Sequence, residues 1–433
     1  MNRILFRRML PVYVLLLVLT LNGVADNPLA PPFKVFDQAV ITHMERAEIY
    51  DGIAHYQFLA TVGPGEYDKI KIHRVVREPQ AGKPNPNGEA VMMITGQPNT
   101  FAMLFLAPLI SSVPERGRAL PIYLARHGMD VWGMDYGHAL VPFGITDFTS
   151  FKDWGVSKDA QHVRLAMQFA RLTRWMAGQG PAPLFLAGLS YGARVAYDVA
   201  AEEAHRPPFL RNVKGLVILD MAVFYQDAAL RADYCARAAT SQARLDSGIY
   251  HQTSGVNLKR IGTLAATDPA GASPFFPGLN NYQGGLRSGA VGSAPLFWHF
   301  VGADFAAPNV PSQLRYTEDR LWFDAIQAVP SYTPLRVSLD VQLSACKEIV
   351  SEAHNPYRQI RVPVFYVGAH GGFGMAGEYT VRLTRSRDVK ILNIQMLPDA
   401  DRAMDYGHVD LVYSATAESL VWAPILNWIK AHR

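Results

Sequence analysis

The chain has 433 residues, with 49% hydrophobic and 18% charged side chains, a net charge of +4 and only two cysteines. Such a composition excludes a disordered, collagenous or disulfide-dense protein and implies a large packed core, as one domain with an insertion or as two domains. No basic patch, low-complexity tract or internal repeat suggests a nucleic-acid partner or a repeat array.

Residues 1–25 read as a secretory leader. Arg3, Arg7 and Arg8 form a basic start, Met9 to Leu21 is almost wholly apolar, and Gly23-Val24-Ala25 ends on small residues ahead of Asp26. The run is short for a bilayer span, which takes about 20 apolar residues, so cleavage is favoured over an anchor. Its loss removes three arginines and leaves a net charge of about +1. A secreted or periplasmic location follows as the expectation.

Along the rest of the chain, Ile53–Val62 and Lys69–Arg77 predict a hairpin around a turn that begins Gly63-Pro64-Gly65. Ala90-Val91-Met92-Met93-Ile94 is a short, entirely apolar run, as in a parallel strand buried on both faces. A helix at Leu120–His127, a strand at 130–134 and a helix over 156–177 follow. Pro183–Ala187, Val213–Leu219, Val362–Val367 and Val389–Met396 read as further strands, and Glu418–Lys430 as a closing helix.

Strands alternating with helices predict an α/β fold with a doubly wound, mostly parallel sheet. Between Asp220 and Val362 that alternation stops. Residues 221–355 are rich in Gly, Pro and aromatic clusters: Pro274-Phe275-Phe276-Pro277, Phe297-Trp298-His299-Phe300 and Leu321-Trp322-Phe323. They read as an inserted cap or lid over the strand C-termini, with the core formed by 26–220 and 356–433. Cys235 and Cys346 both fall in this insertion; in an oxidising compartment they are a possible disulfide, otherwise two buried thiols.

Gly188-Leu189-Ser190-Tyr191-Gly192 lies between a predicted strand and a predicted helix. That context suits a nucleophile elbow, in which a strained turn lifts the serine hydroxyl clear of the sheet. A serine needs a base, and His408, in the loop after the last strand, is the first choice, with His370 second. The acid that would orient the histidine is less determined. Asp220, ending Val217-Ile218-Leu219-Asp220, is preferred, Glu378 is the alternative, and Asp399 or Asp401 remain. Backbone N–H groups of Tyr191 and Gln97 are the candidate oxyanion donors, because Pro98 has none. No cluster with metal spacing and no dinucleotide or phosphate loop is present, so no metal or cofactor is inferred.

Several of these stretches resemble one known family. Leu124-Ala125-Arg126-His127-Gly128-Met129-Asp130-Val131-Trp132, Phe151-Lys152-Asp153-Trp154-Gly155 with Asp159, the elbow, and Gly407-His408-Val409-Asp410-Leu411 are similar to the acid (gastric and lysosomal) lipase group of the α/β-hydrolases. The resemblance covers most of the core and not the insertion. It implies a serine esterase or lipase acting on a small-molecule or lipid ester through Ser190 and His408. Two departures stand out. The family's acid position after the strand matching Val362–Val367 is occupied by glycines, and its His-Gly oxyanion loop is replaced by Thr95-Gly96-Gln97-Pro98.

Overall fold

A computed structural model describes residues 33–36, 39–85, 88–292 and 299–433 of the chain. The expected leader, and Phe297 and Trp298 of one aromatic cluster, lie outside the described residues. The strands of the main sheet are β1 (Phe33–Phe36), β2 (Ala39–Tyr50), β3 (Ile53–Thr61), β4 (Lys69–Arg77), β5 (Ala90–Ile94), β6 (Asp130–Asp135), β7 (Leu184–Leu189), β8 (Val213–Leu219), β9 (Val364–Ala369) and β10 (Val389–Ile394). They lie in the order β1-β2-β3-β4-β6-β5-β7-β8-β9-β10. The first four are antiparallel, β4 meets β6 antiparallel, and the six from β6 to β10 run parallel.

The wholly apolar strands are explained by cover on both faces. Val91 and Met93 of β5 point into one cluster, with Phe185, Ala187 and Leu189 of β7. Ala90, Met92 and Ile94 point into the other, with Leu184 and Leu186. Helix α1 (Leu120–Arg126) covers the first face, while α2 (Val156–Met176) and α3 (Tyr191–Glu203) cover the second. The chain leaves β5 toward β6 on one side and reaches β7 on the other. The C-terminal ends of β5 and β7 therefore form a topological switch point, where ligands bind in open α/β sheets.

Residues between β8 and β9 add no strand to the main sheet among those described. They form α4 (Ala228–Asp246), α5 (Ser254–Thr267), α6 (Asn281–Ala290), α7 (Asp319–Ala328) and α8 (Leu335–Cys346), with two small two-stranded ladders. A disulfide joins Cys235 in α4 to Cys346 at the end of α8, closing a separation of 111 residues. This excursion touches the loops that follow the parallel strands. Ser111 donates to Asp324 (2.7 Å), and Gly144 N–H donates to the Tyr332 hydroxyl (3.2 Å). His299 N–H donates to Gly371 carbonyl (3.0 Å) and Val409 N–H to Phe300 carbonyl (2.8 Å).

Three sequence expectations need correction. The strand β2 was not foreseen; as an outer strand most of its residues are partly or fully exposed, so charged side chains dilute the alternation. The loop after β9 holds a short helix, α9 (Ala376–Arg382), that its glycines conceal. The closing helix begins as a π-helical turn over Glu418–Trp422 before α10 (Ala423–Ala431).

Candidate active site

Ser190 follows β7 with φ 58° and ψ −126°, a conformation that costs an L-residue about 1–3 kcal/mol. The turn holds it because neighbouring backbones come too close for any other path. A Cβ on Gly192 would lie 2.3 Å from the Ile94 carbonyl oxygen, and one on Gly188 2.3 Å from the Gly192 carbonyl oxygen. Both flanking glycines of the motif are thus required by contact. Ser190 N–H donates to Leu219 carbonyl (3.0 Å), which ties the elbow to β8. The Thr95–Gln97 loop rests directly on the serine: a Cβ on Gly96 would be 2.8 Å from Ser190 Cβ and 3.4 Å from its Oγ.

Parallel pairing sets Leu189 beside Leu219, so Ser190 and Asp220 leave adjacent strands at equivalent positions. Asp220, fully buried with φ 45°, accepts a 2.6 Å hydrogen bond from His408 Nδ1. The glycine loop after β9 supplies the rest of its shell. Oδ1 accepts N–H from Ala369 (3.0 Å) and Gly374 (2.8 Å), and Oδ2 accepts from Phe373 (3.0 Å). A Cβ on Gly372 would fall 2.0 Å from Oδ2, so the loop fits the carboxylate only without a side chain there.

The other acids face elsewhere. Glu378 lies on α9, accepting from Asn393 (2.7 Å) and pairing with Arg382 (3.0 Å). Asp399 is 91% exposed and faces His370 Nε2 at 3.3 Å, and Asp401 sits in the same short 3₁₀ segment, Asp399–Met404. His370 is committed to Asp405, whose Oδ2 lies 2.7 Å from its Nδ1. The structure bonds His408 to Asp220, sets Asp220 at the strand end beside Ser190 and lays the Gln97 loop against Ser190, while Glu378 and His370 bond elsewhere.

No protein-family model matches the chain, and no curated protein does either. Its three-dimensional structure is similar to that of a candidate lipase from Sulfolobus solfataricus, with 18% identity and a TM-score of 0.60, covering 90% of this chain and 99% of that one. It is also similar to a soluble variant of monoglyceride lipase from Saccharomyces cerevisiae solved with a substrate analogue, at 12% identity and a TM-score of 0.48, covering 94% and 99%. The chain has the α/β-hydrolase fold.

In this hydrolase fold the histidine loop is held by carboxylates to which the sequence assigned no role. Asp410, two residues beyond His408, is fully buried and accepts N–H from Gly407 (2.7 Å) and Gly302 (2.8 Å) and the Thr317 hydroxyl (2.5 Å). Burial pushes its carboxyl up to about 6 against the pull of those donors. Asp405 accepts N–H from Tyr406 (2.7 Å) and Met396 (3.0 Å) on one oxygen and faces His370 with the other. His299 Nε2 lies 2.6 Å from the Asp405 carbonyl, and burial pushes the His299 imidazole down to about 4. A neutral ring that donates to that carbonyl satisfies both facts. An acidic residue at each end of a short loop around a histidine was the available signal. Among the described residues, no group of three or more His, Cys, Asp or Glu could hold a metal ion, and no helix is long and apolar enough to cross a membrane.

Proposed function

We propose that this protein is a serine hydrolase that cleaves carboxylic esters through an acyl-enzyme on Ser190, acting outside the cytoplasm after loss of its leader. The observation that carries the reading is the 2.6 Å bond from His408 Nδ1 to Asp220, at the strand end next to Ser190. With Nδ1 so engaged, Nε2 is the ring atom that takes the Ser190 proton as Oγ attacks the ester carbonyl carbon. Asp220 fixes that tautomer and stabilises the imidazolium. The tetrahedral oxyanion is met by N–H of Tyr191 and Gln97. Collapse breaks the ester C–O bond, and His408 returns its proton to the leaving alkoxide. Water, deprotonated by the same nitrogen, then releases the acid.

The excursion between β8 and β9 serves as the cap of this site. Its contacts with loops after β5, β6, β9 and β10 support that role. Phe300, with its ring centroid 6.0 Å from that of His408, gives an apolar wall suited to an acyl chain.

The test is treatment of the purified protein and of Ser190→Ala with a fluorophosphonate, read by intact mass. One adduct on the wild type and none on the variant is expected. Equal labelling of both proteins, or of neither, would remove Ser190 from the mechanism.

A further inference from the structure

Asp159 stands in the first turn of α2, fully buried, and no step of the proposed chemistry uses it. Its Oδ2 accepts the Tyr191 hydroxyl at 2.6 Å and its Oδ1 accepts Trp154 Nε1 at 2.9 Å. His138 Nε2 lies 3.7 Å from Oδ2, and the same nitrogen is 3.5 Å from Gln97 Nε2. Tyr136 completes the group: its ring stacks on His138 (5.3 Å), and its hydroxyl donates to the Thr95 carbonyl at 3.4 Å.

Burial alone would push the Asp159 carboxyl up, but His138, then Tyr191 and Trp154, together hold it below the usual carboxylate range. A buried ionised carboxylate is costly where an apolar residue would pack, so its presence calls for a task beyond filling space.

That task is visible in what the carboxylate connects. Tyr191 follows the nucleophile and carries one proposed oxyanion donor on its backbone; Gln97 carries the other. The carboxylate grips the first through its side-chain hydroxyl, while His138 beside it stands near the side-chain amide of the second. We propose that Asp159 is a positioning residue that fixes Tyr191, and with it the oxyanion donor on that residue's backbone. This rests on the serine-hydrolase reading and adds to it the part that aims one donor of the oxyanion site. An oxyanion donor stabilises only a charge that appears where it points, so an error in its direction is felt in the transition state and little in the ground state.

The readout follows from that distinction. A thionoester develops its negative charge on sulfur, which is larger and a poorer hydrogen-bond acceptor, so a well-set oxyanion site favours the oxygen ester over its thiono analogue. Tyr191→Phe deletes one hydroxyl, and Asp159→Asn keeps the shape of the anchor while removing its charge. In both variants kcat for a p-nitrophenyl ester should fall by about 10- to 100-fold with KM within about threefold. The ester-to-thionoester ratio of kcat/KM should fall by a similar factor. The shape of the pH–rate profile should not change.

Lower melting temperatures with an unchanged ester-to-thionoester ratio would make Asp159 a structural residue and overturn the proposal. So would wild-type turnover in both variants. Fluorophosphonate labelling separates the two levels of argument. A wild type that takes no adduct on Ser190 removes the hydrolase reading and this one with it. Labelling with no change in the ratio removes only the positioning role.

Discussion

Asp220→Asn is the perturbation that the geometry makes most informative. In the wild type Oδ1 accepts N–H from Ala369 (3.0 Å) and Gly374 (2.8 Å), and Oδ2 from Phe373 (3.0 Å) and His408 (2.6 Å). Each oxygen meets two donors. Whichever way an asparagine amide turns, its NH2 faces two N–H groups. Two hydrogen bonds to a charged acceptor are lost in a buried site, at about 1.5–3 kcal/mol each, for a total near 3–6 kcal/mol. The structure offers one escape: His408 can switch tautomer and let Nδ1 accept from the amide. That recovers a bond but leaves a proton on Nε2, which then cannot take one from Ser190. Turnover should therefore fall by about 10⁴-fold, as expected when the wrong tautomer is locked. The assay is kcat/KM on a p-nitrophenyl ester with urea unfolding in parallel. Glu378→Gln, whose partners are Asn393 and Arg382, is the control and should stay within about threefold of wild type. An Asp220→Asn enzyme within tenfold of wild type, or a Glu378→Gln enzyme that fails, would refute the assignment.

Asp410 should respond in the opposite way. Its donors allow an asparagine: the amide oxygen can accept from Gly407 and Gly302 while its NH2 donates to the Thr317 hydroxyl. The folded carboxyl is raised from 3.8 to about 6, so its contribution is fully present below 3.8 and lost as pH rises through 6, by about 3 kcal/mol. Asp410→Asn should remove that loss, and urea midpoints of the two proteins at pH 4 to 8 should diverge in the variant's favour; parallel curves would contradict it. Replacing Cys235 and Cys346 by serine opens a loop of 111 residues and should cost about 4–5 kcal/mol, measured as the shift in urea midpoint against the oxidised protein. Gly96→Ala puts a methyl 2.8 Å from Ser190 Cβ and should lower kcat about a hundredfold, with fluorophosphonate labelling slowed in step.

How much of this was legible in the sequence depends on how local each signal is. The strand Val213–Leu219 is bounded in the structure as the sequence suggests, because apolar cover on both faces leaves Leu216–Leu219 an unbroken apolar run. The hairpin of β3 and β4 is equally plain, since its inward residues alternate. By contrast β2 reads as a charged segment because little of it is buried. Within the site, Ser190 is marked by glycines that local crowding demands. The choice among Asp220, Glu378, Asp399 and Asp401 rested on strand register, which sets residues 188 positions apart at 2.6 Å and leaves no periodic trace. Asp410 and His299 fall in stretches that stand out in the sequence, but their roles do not, since each bonds backbone brought in from a distant segment.

The glycines after β9 and the acid after β8 are best understood as one arrangement. Val367 pairs with Leu219, so Gly368 and Asp220 leave neighbouring parallel strands side by side. Strands lie about 4.8 Å apart, and a carboxylate at either exit can reach an imidazole poised above both. Moving the acid to β8 frees the β9 loop from carrying the carboxylate but gives it another duty. A buried carboxylate needs donors on every lone pair that the histidine does not use, and here backbone N–H groups of Ala369, Phe373 and Gly374 meet them. Only glycine at the crowded positions lets the loop close that tightly: the space at Gly372 is already taken by Oδ2, and Gly374 sits at φ 49°. The missing carboxylate after β9 is thus no sign of a lost site. In this chain the glycine run is the counterpart of Asp220, and neither segment could change alone without stranding a charge or crowding a carboxylate.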